Sequence, residues 1–155
     1  VILGILAITA APRFFNFGSD ARASTLNGLK AALESASTLV YGKAVIAGVQ
    51  NSLGCLNAQG NLVTPTGSPA ACASGQAQVI NGYPEATVAS MIIVLDLNVE
   101  GAPAEPVDWS VTASGTTVTF RPKNFTPSSG EECSLTYQQA AANAKPVIAV
   151  TTTGC

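Results

Sequence analysis

Val1-Ile2-Leu3-Gly4-Ile5-Leu6-Ala7-Ile8-Thr9-Ala10-Ala11, closed by Pro12-Arg13, is the stretch on which the reading of this chain turns. It is uncharged and strongly apolar. At helical rise it covers about 17 Å, well short of the ~30 Å hydrocarbon core of a bilayer. Three readings compete: a signal-peptide core, a buried globular helix, and the lower half of a membrane-inserting helix that starts further upstream. The first is disfavoured because a small-residue cleavage pattern is poor and a helical pattern continues past it.

That pattern becomes regular beyond Pro12. Leu26, Leu29, Leu33, Ala36 and Val40 step by 3, 4, 3 and 4, which lays one apolar stripe along a helix. Arg22, Lys30 and Glu34 fall off the stripe, with Lys30 and Glu34 one turn apart. Gly42 and Gly48 weaken the end, and Gln50-Asn51-Ser52-Leu53-Gly54 reads as the stop. A helix from the start to about residue 48 is roughly 70 Å long. One small domain cannot cover such a rod. The stripe at 26–40 packs on its own domain, whereas the apolar end, with Phe14, Phe15 and Phe17 behind it, must find lipid or other copies of itself.

Composition narrows the chemistry. The 155 residues are 47% hydrophobic but only 10% charged, and there is no histidine. Ser-His-Asp and Cys-His catalysis, His-ligated zinc and His-held haem are thereby excluded. The length suits one domain with an adequate core. Residues 1–50 carry a charge of +2 and residues 51–155 a charge of −4, with no Lys or Arg from Ala44 to Phe120. Nucleic acid is therefore not an expected partner. Four cysteines allow three connectivities. Pairing Cys55 with Cys72 and Cys133 with Cys155 closes local loops, each worth about 3 kcal/mol in the chain-entropy picture. A zinc site would want Cys-x-x-Cys knuckles, which are absent, so two disulfides and an oxidising compartment are expected.

Residues 52–82, rich in Gly, Asn, Pro, Ser and Ala, read as a long loop clamped by Cys55 and Cys72. Val88, Met91, Ile92 and Leu95 suggest a short helix over about residues 85–96. Trp109–Ala113 and Thr116–Phe120 alternate around Ser114-Gly115, a two-residue turn that sets Val111 opposite Val118 and Trp109 opposite Phe120. Cys133–Tyr137 and Pro146–Thr153 supply two further strands, with 138–145 a loop between them.

A search for site chemistry finds little. Glu131-Glu132 reads as a solvated loop pair, and Asp96, Glu100, Glu105 and Asp108 lack the spacing of an EF-hand. No phosphate-binding loop or nucleophile elbow occurs. Asn124-Phe125-Thr126 fits a glycosylation sequon formally, but Pro127 follows. Trp109, Tyr41, Tyr83 and Tyr137 are the aromatic side chains a sugar cleft would have to use, and most read as buried. No catalytic residue, cofactor or metal is expected, and the chain does not read as an enzyme.

The run Val1 to Phe14, followed by Asn16 and Ser19-Asp20-Ala21-Arg22, resembles the amino-terminal helix of type IV pilins. Within that family it is most similar to the mannose-sensitive haemagglutinin (MSHA) branch. Gly82-Tyr83-Pro84 and the ending Cys133-Ser-Leu-Thr-Tyr137 with Thr151-Thr-Thr-Gly-Cys155 match the same branch. The resemblance implies an α+β fold: a long amino-terminal helix packed on a roughly four-stranded antiparallel sheet, with a disulfide-bounded carboxy-terminal region. Residues 1–24 would form a protruding helix half and 25–155 the head, in which 25–50 finish the helix and 107–155 hold the sheet and carboxy-terminal region. Filament packing would fall to Val1, Ile2, Leu3, Ile5, Leu6, Ile8, Phe14 and Phe15, with unwinding or a kink between Gly4 and Pro12. The family's mature chain opens on a methylated Phe and a Phe-Thr-Leu-Ile-Glu-like stretch, so this sequence starts inside that helix and lacks the docking glutamate. The implied function is a homopolymeric fibre for surface attachment and adhesion. It would be held in the inner membrane of a Gram-negative cell before assembly and be extracellular afterwards. The assembly machinery, a prepilin peptidase and a surface glycan are the implied partners. A secretion-system pseudopilin and a membrane-anchored sugar-binding module are the alternatives.

Overall fold

The computed structural model describes residues 17–67, 71–97, 108–123 and 125–155. The first element is α1, Phe17–Ile46. Asp20 lies in its first turn and Lys43 in its last, each favourable to the helix dipole. Thr25, Asn27 and Thr38 bond back to carbonyls one turn earlier, which satisfies polar side chains on the solvent face. Its buried residues are Leu26, Leu29, Leu33, Ser37, Val40 and Ala44. The expected stripe is corrected at one position, where Ser37 is buried and Ala36 only half so. Steps of 3, 4, 4, 3 and 4 follow the 3.6-residue turn more closely over this length than strict alternation does.

α1 stops earlier than the sequence suggested. Gly48 takes φ 71°, its N–H bonds the Val45 carbonyl and the Val49 N–H bonds the Ala44 carbonyl. These are the paired bonds of a Schellman cap, and buried Val49 and Ala44 supply its apolar contact. The stop is thus Gly48, not the Gln50–Gly54 cluster.

Among the described residues eight strands follow: β1 Gly54–Leu56, β2 Leu62–Val63, β3 Ala77–Ile80, β4 Tyr83–Pro84, β5 Trp109–Ser114, β6 Thr117–Pro122, β7 Ser134–Gln138 and β8 Val147–Thr151. A second helix, α2, Val88–Leu95, lies between β4 and β5, inside the expected 85–96 window. Thr87 caps it by accepting from the Ser90 N–H, and Asp96 closes it in the left-handed conformation. The strands form two four-stranded antiparallel sheets, in the orders β2-β1-β3-β4 and β5-β6-β7-β8. A single sheet of roughly four strands had been expected. Three strands of the other sheet come from the segment 52–82, which had been read as loop, and the fourth, β4, follows directly after it. Its strands are two to four residues long, too short to show alternation through the Gly and Asn between them.

The hairpin β5–β6 pairs Val111 with Phe120 and Trp109 with Pro122. This register lies two residues from the expected one because the turn is Gly115-Thr116, not Ser114-Gly115. Gly115 takes φ 58° at the first central position, the arrangement of a II′ turn. A shift of two keeps every side chain on its face, so Trp109, Val118 and Phe120 are still buried together.

Two apolar cores result. The larger holds Leu26, Leu29, Leu33, Met91, Trp109, Phe120, Leu135 and Tyr137, and the smaller Val40, Ala44, Val49, Leu56, Ala77 and Val79. Three polar bonds join the sheets across their seam. The Tyr137 hydroxyl donates to the Pro84 carbonyl at 2.6 Å, the Ala86 N–H to Gln139 Oε1 at 3.0 Å, and Asn81 Nδ2 to the Ala140 carbonyl at 3.0 Å. Burial pushes the Tyr137 phenol far above its ordinary range, with the neighbouring Ser37 hydroxyl pulling the other way and Tyr83 adding to the rise.

Two outcomes follow. Cross-strand nuclear Overhauser contacts should join Val111 to Phe120 and be missing between Val111 and Val118. Tyr137→Phe should cost about 1–2 kcal/mol at neutral pH by denaturant unfolding, since the Pro84 carbonyl loses its donor. Above about pH 10 the unfolded chain releases the Tyr137 proton while the folded chain keeps it, so the stability present at lower pH declines as pH rises. That decline should be shallower in Tyr137→Phe.

Candidate functional site

The residues expected to pack in a filament, Val1, Ile2, Leu3, Ile5, Leu6, Ile8, Phe14 and Phe15, lie outside the described residues, as do Gly4 and Pro12. The described part of the helix nevertheless has two apolar aspects. One is the buried stripe. The other runs over Ala31, Ser35, Leu39, Gly42 and Ile46, at steps of 4, 4, 3 and 4, and lines a shallow open depression. Leu39 is 65% and Ile46 88% exposed, and Phe17 at the other end is 63% exposed. Lys43, beside this aspect, turns its ammonium to the Gly60 carbonyl and so ties the Asn57–Asn61 turn to α1.

The cysteines are joined in sequence order. Cys55–Cys72 has its Cα atoms 5.4 Å apart and Cys133–Cys155 4.7 Å. The second bridge belongs to a larger clasp. The Cys155 carbonyl accepts from Arg22 Nε at 2.8 Å, and the Arg22 guanidinium lies 4.0 Å over the Phe125 ring. The Gly154 N–H bonds the Glu132 carbonyl at 2.9 Å, and Glu132 pairs with Arg121 at 3.1 Å. A Cβ at position 154 would stand 2.8 Å from those of Pro127 and Glu131. Glu131 and Glu132 are exposed in a loop, as the sequence reading had them, and the Glu132 carbonyl also seats the carboxy-terminal turn. The sequence reading set Arg22 off the stripe and in the pilin-like Ser19-Asp20-Ala21-Arg22 run, and gave it no partner. A cation one turn before Leu26 gives no sequence signal of a partner 133 residues away.

The third feature is a trough where α1 passes β4 and the 139–146 loop. Two adjoining depressions of about 460 Å³ and 310 Å³ share Tyr41, Tyr83 and Lys145. Tyr41 stacks on Tyr83, centroids 4.9 Å apart and planes 16° apart. Tyr83 is buried and its phenol is raised by that burial and by Tyr41, whereas Tyr41 is 38% exposed. Reading most of the aromatic side chains as buried thus holds for Trp109, Tyr83 and Tyr137 but not for Tyr41. Gly82 permits the stack: it takes φ 81°, and a Cβ there would lie 2.7 Å from Tyr41 Cδ2.

Of the imagined calcium loop, Asp96 caps α2 and the Asp108 carbonyl accepts from the Lys123 N–H, while Glu100 and Glu105 lie outside the described residues. Asn124 of the sequon lies outside them too. Among the described residues no group of acidic or Cys side chains is arranged to hold a metal, and no helix is long and apolar enough to cross a membrane. Compared with protein-family models, with curated proteins and with solved structures, the chain matches none of them.

Arg22→Gln should free the carboxy-terminal turn without unfolding the head. Amide hydrogen exchange at residues 152–155 should speed up, and stability should fall by about 1–2 kcal/mol, the range of a hydrogen bond from a charged donor plus a cation–π contact.

Proposed function

We propose that the chain is the structural subunit of a type IV, MSHA-like pilus, assembled through its amino-terminal helix into an extracellular fibre for surface attachment. The observation that carries this reading is the double apolar character of α1. One aspect is filled by the subunit's own cores, while Leu39 and Ile46 stay exposed on another. The apolar run Val1–Ala11 precedes that helix in the sequence. Burying such side chains against neighbouring copies contributes about 1.5–3 kcal/mol each, repeated at every subunit. The layout of a long helix, antiparallel sheets and two disulfides is compatible with a pilin head. On this reading the helix is held in the inner membrane before assembly, where the prepilin peptidase and the pilus assembly machinery meet it. The part played is structural, with no catalysis and no cofactor.

The decisive experiment is electron microscopy of protein sheared from cells. Fibres of this subunit are expected. Ile8→Asp, which sets a carboxylate in the proposed fibre core, should abolish them while circular dichroism and both disulfides of the secreted head are retained. A wild-type chain that stays a monodisperse monomer and never forms a fibre overturns the reading.

A further inference from the structure

We infer that the trough between α1, β4 and the 139–146 loop is a subsite for an acidic saccharide, with a pyranose ring on Tyr41 and the sugar carboxylate at Lys145. The two adjoining depressions fall in the size range of small-ligand sites, about 300–1,000 Å³. Their floor and rim divide into three chemical parts that such a sugar needs together.

The first part is a fixed aromatic platform. Tyr41 keeps exposed surface while one face of its ring lies on buried Tyr83, and Gly82 leaves no room for the ring to move toward it. A ring already locked by its own packing loses little freedom when a ligand settles on it. The C–H face of a pyranose is the apolar surface of matching size.

The second part is a set of uncharged hydrogen-bonding groups. Gln50, Asn51, Asn81 and Asn143 line the end of the trough beyond Tyr41. Asn81 and Asn143 hold φ 53° and 60°, so their positions are set by turns and not by the side chains' freedom. Gln50 Oε1 is buried without a hydrogen-bond partner within the described residues. A buried acceptor left unpaired is costly, and a sugar hydroxyl would satisfy it.

The third part is charge. Two charged side chains line the trough, Glu34 and Lys145. Glu34 is already paired with Lys30 at 3.8 Å, whereas Lys145 has no ion pair among the described residues. An ammonium thus faces the trough in a chain whose net charge is −2. That selects a carboxylate over a neutral sugar. An acidic peptide shares the charge but does not use a flat ring flanked by amides, so the saccharide is favoured.

The test uses the full chain in a zwitterionic detergent free of sugar headgroups, titrated with trigalacturonate, neutral cellotriose and triglutamate. Binding is read by calorimetry and by the ring resonances of the tyrosines, which number three in all. Trigalacturonate should bind and shift the Tyr41 and Tyr83 signals but leave Tyr137 unmoved. Lys145→Gln, an exposed change that the fold does not depend on, should weaken it about fivefold. Tyr41→Ala should remove binding, with thermal unfolding used to show the head intact. Equal affinity for cellotriose, tighter binding of triglutamate, unmoved Tyr41 and Tyr83 signals, or no effect of Lys145→Gln each overturns the inference. The assay is made on unassembled chain, so its failure leaves the fibre reading standing, and the converse also holds.

Discussion

The buried face of α1, from Leu26 to Ala44, is shared by two cores. Leu26, Leu29 and Leu33 enter the larger and Val40 and Ala44 the smaller, so one helix links two sheets that do not pair with each other. α2 repeats the device in miniature: Met91, Ile92 and Leu95 reach one core, Ile93 and Val94 the other. Short strands of two to four residues are marginal alone, and three or more with an apolar face packed on a helix are needed for stability. The first sheet therefore exists because α1 continues past the second one. The Tyr137–Pro84 bond then ties the larger core to the edge strand of the first sheet.

How much of this was legible in the sequence follows from how far each signal reaches. The stripe on α1, the short helix over 88–95 and the four strands from β5 to β8 are periodic over whole turns or alternations, and the sequence located them. The first sheet was missed because a two-residue strand such as Leu62–Val63 has no period to detect. The hairpin register slipped because a glycine next to a serine fits either central position of a tight turn. The φ of Gly115 decides between them, and that is a backbone property. Arg22 on Cys155 and Tyr41 on Tyr83 are pairings across distant segments, which no local pattern encodes.

Helix capping explains one boundary that composition obscured. The cluster Gln50–Gly54 has the residue types of a stop, yet Gly48 takes the left-handed position first and Val49 drops into the smaller core. Early termination frees residues 49–53 to turn the chain back toward β1. It also leaves Ile46 outside, at the last turn of α1.

The outer aspect of α1 and the trough differ in what they ask of a partner. Leu39, Gly42 and Ile46 form a shallow surface, also lined by Glu34 and Lys43, that an apolar helix of suitable width would cover. Shape there is permissive, and burial supplies the free energy. The trough differs: a ring held by a stack, four amides and an ammonium with no ion pair among the described residues specify direction and charge. Surfaces of the first kind suit contacts made many times with identical copies, where specificity comes from repetition. Surfaces of the second kind suit one small polar ligand. That both are carried by α1, on different sides of a single helix, is consistent with a subunit that spends one side on its own kind and keeps another for the outside.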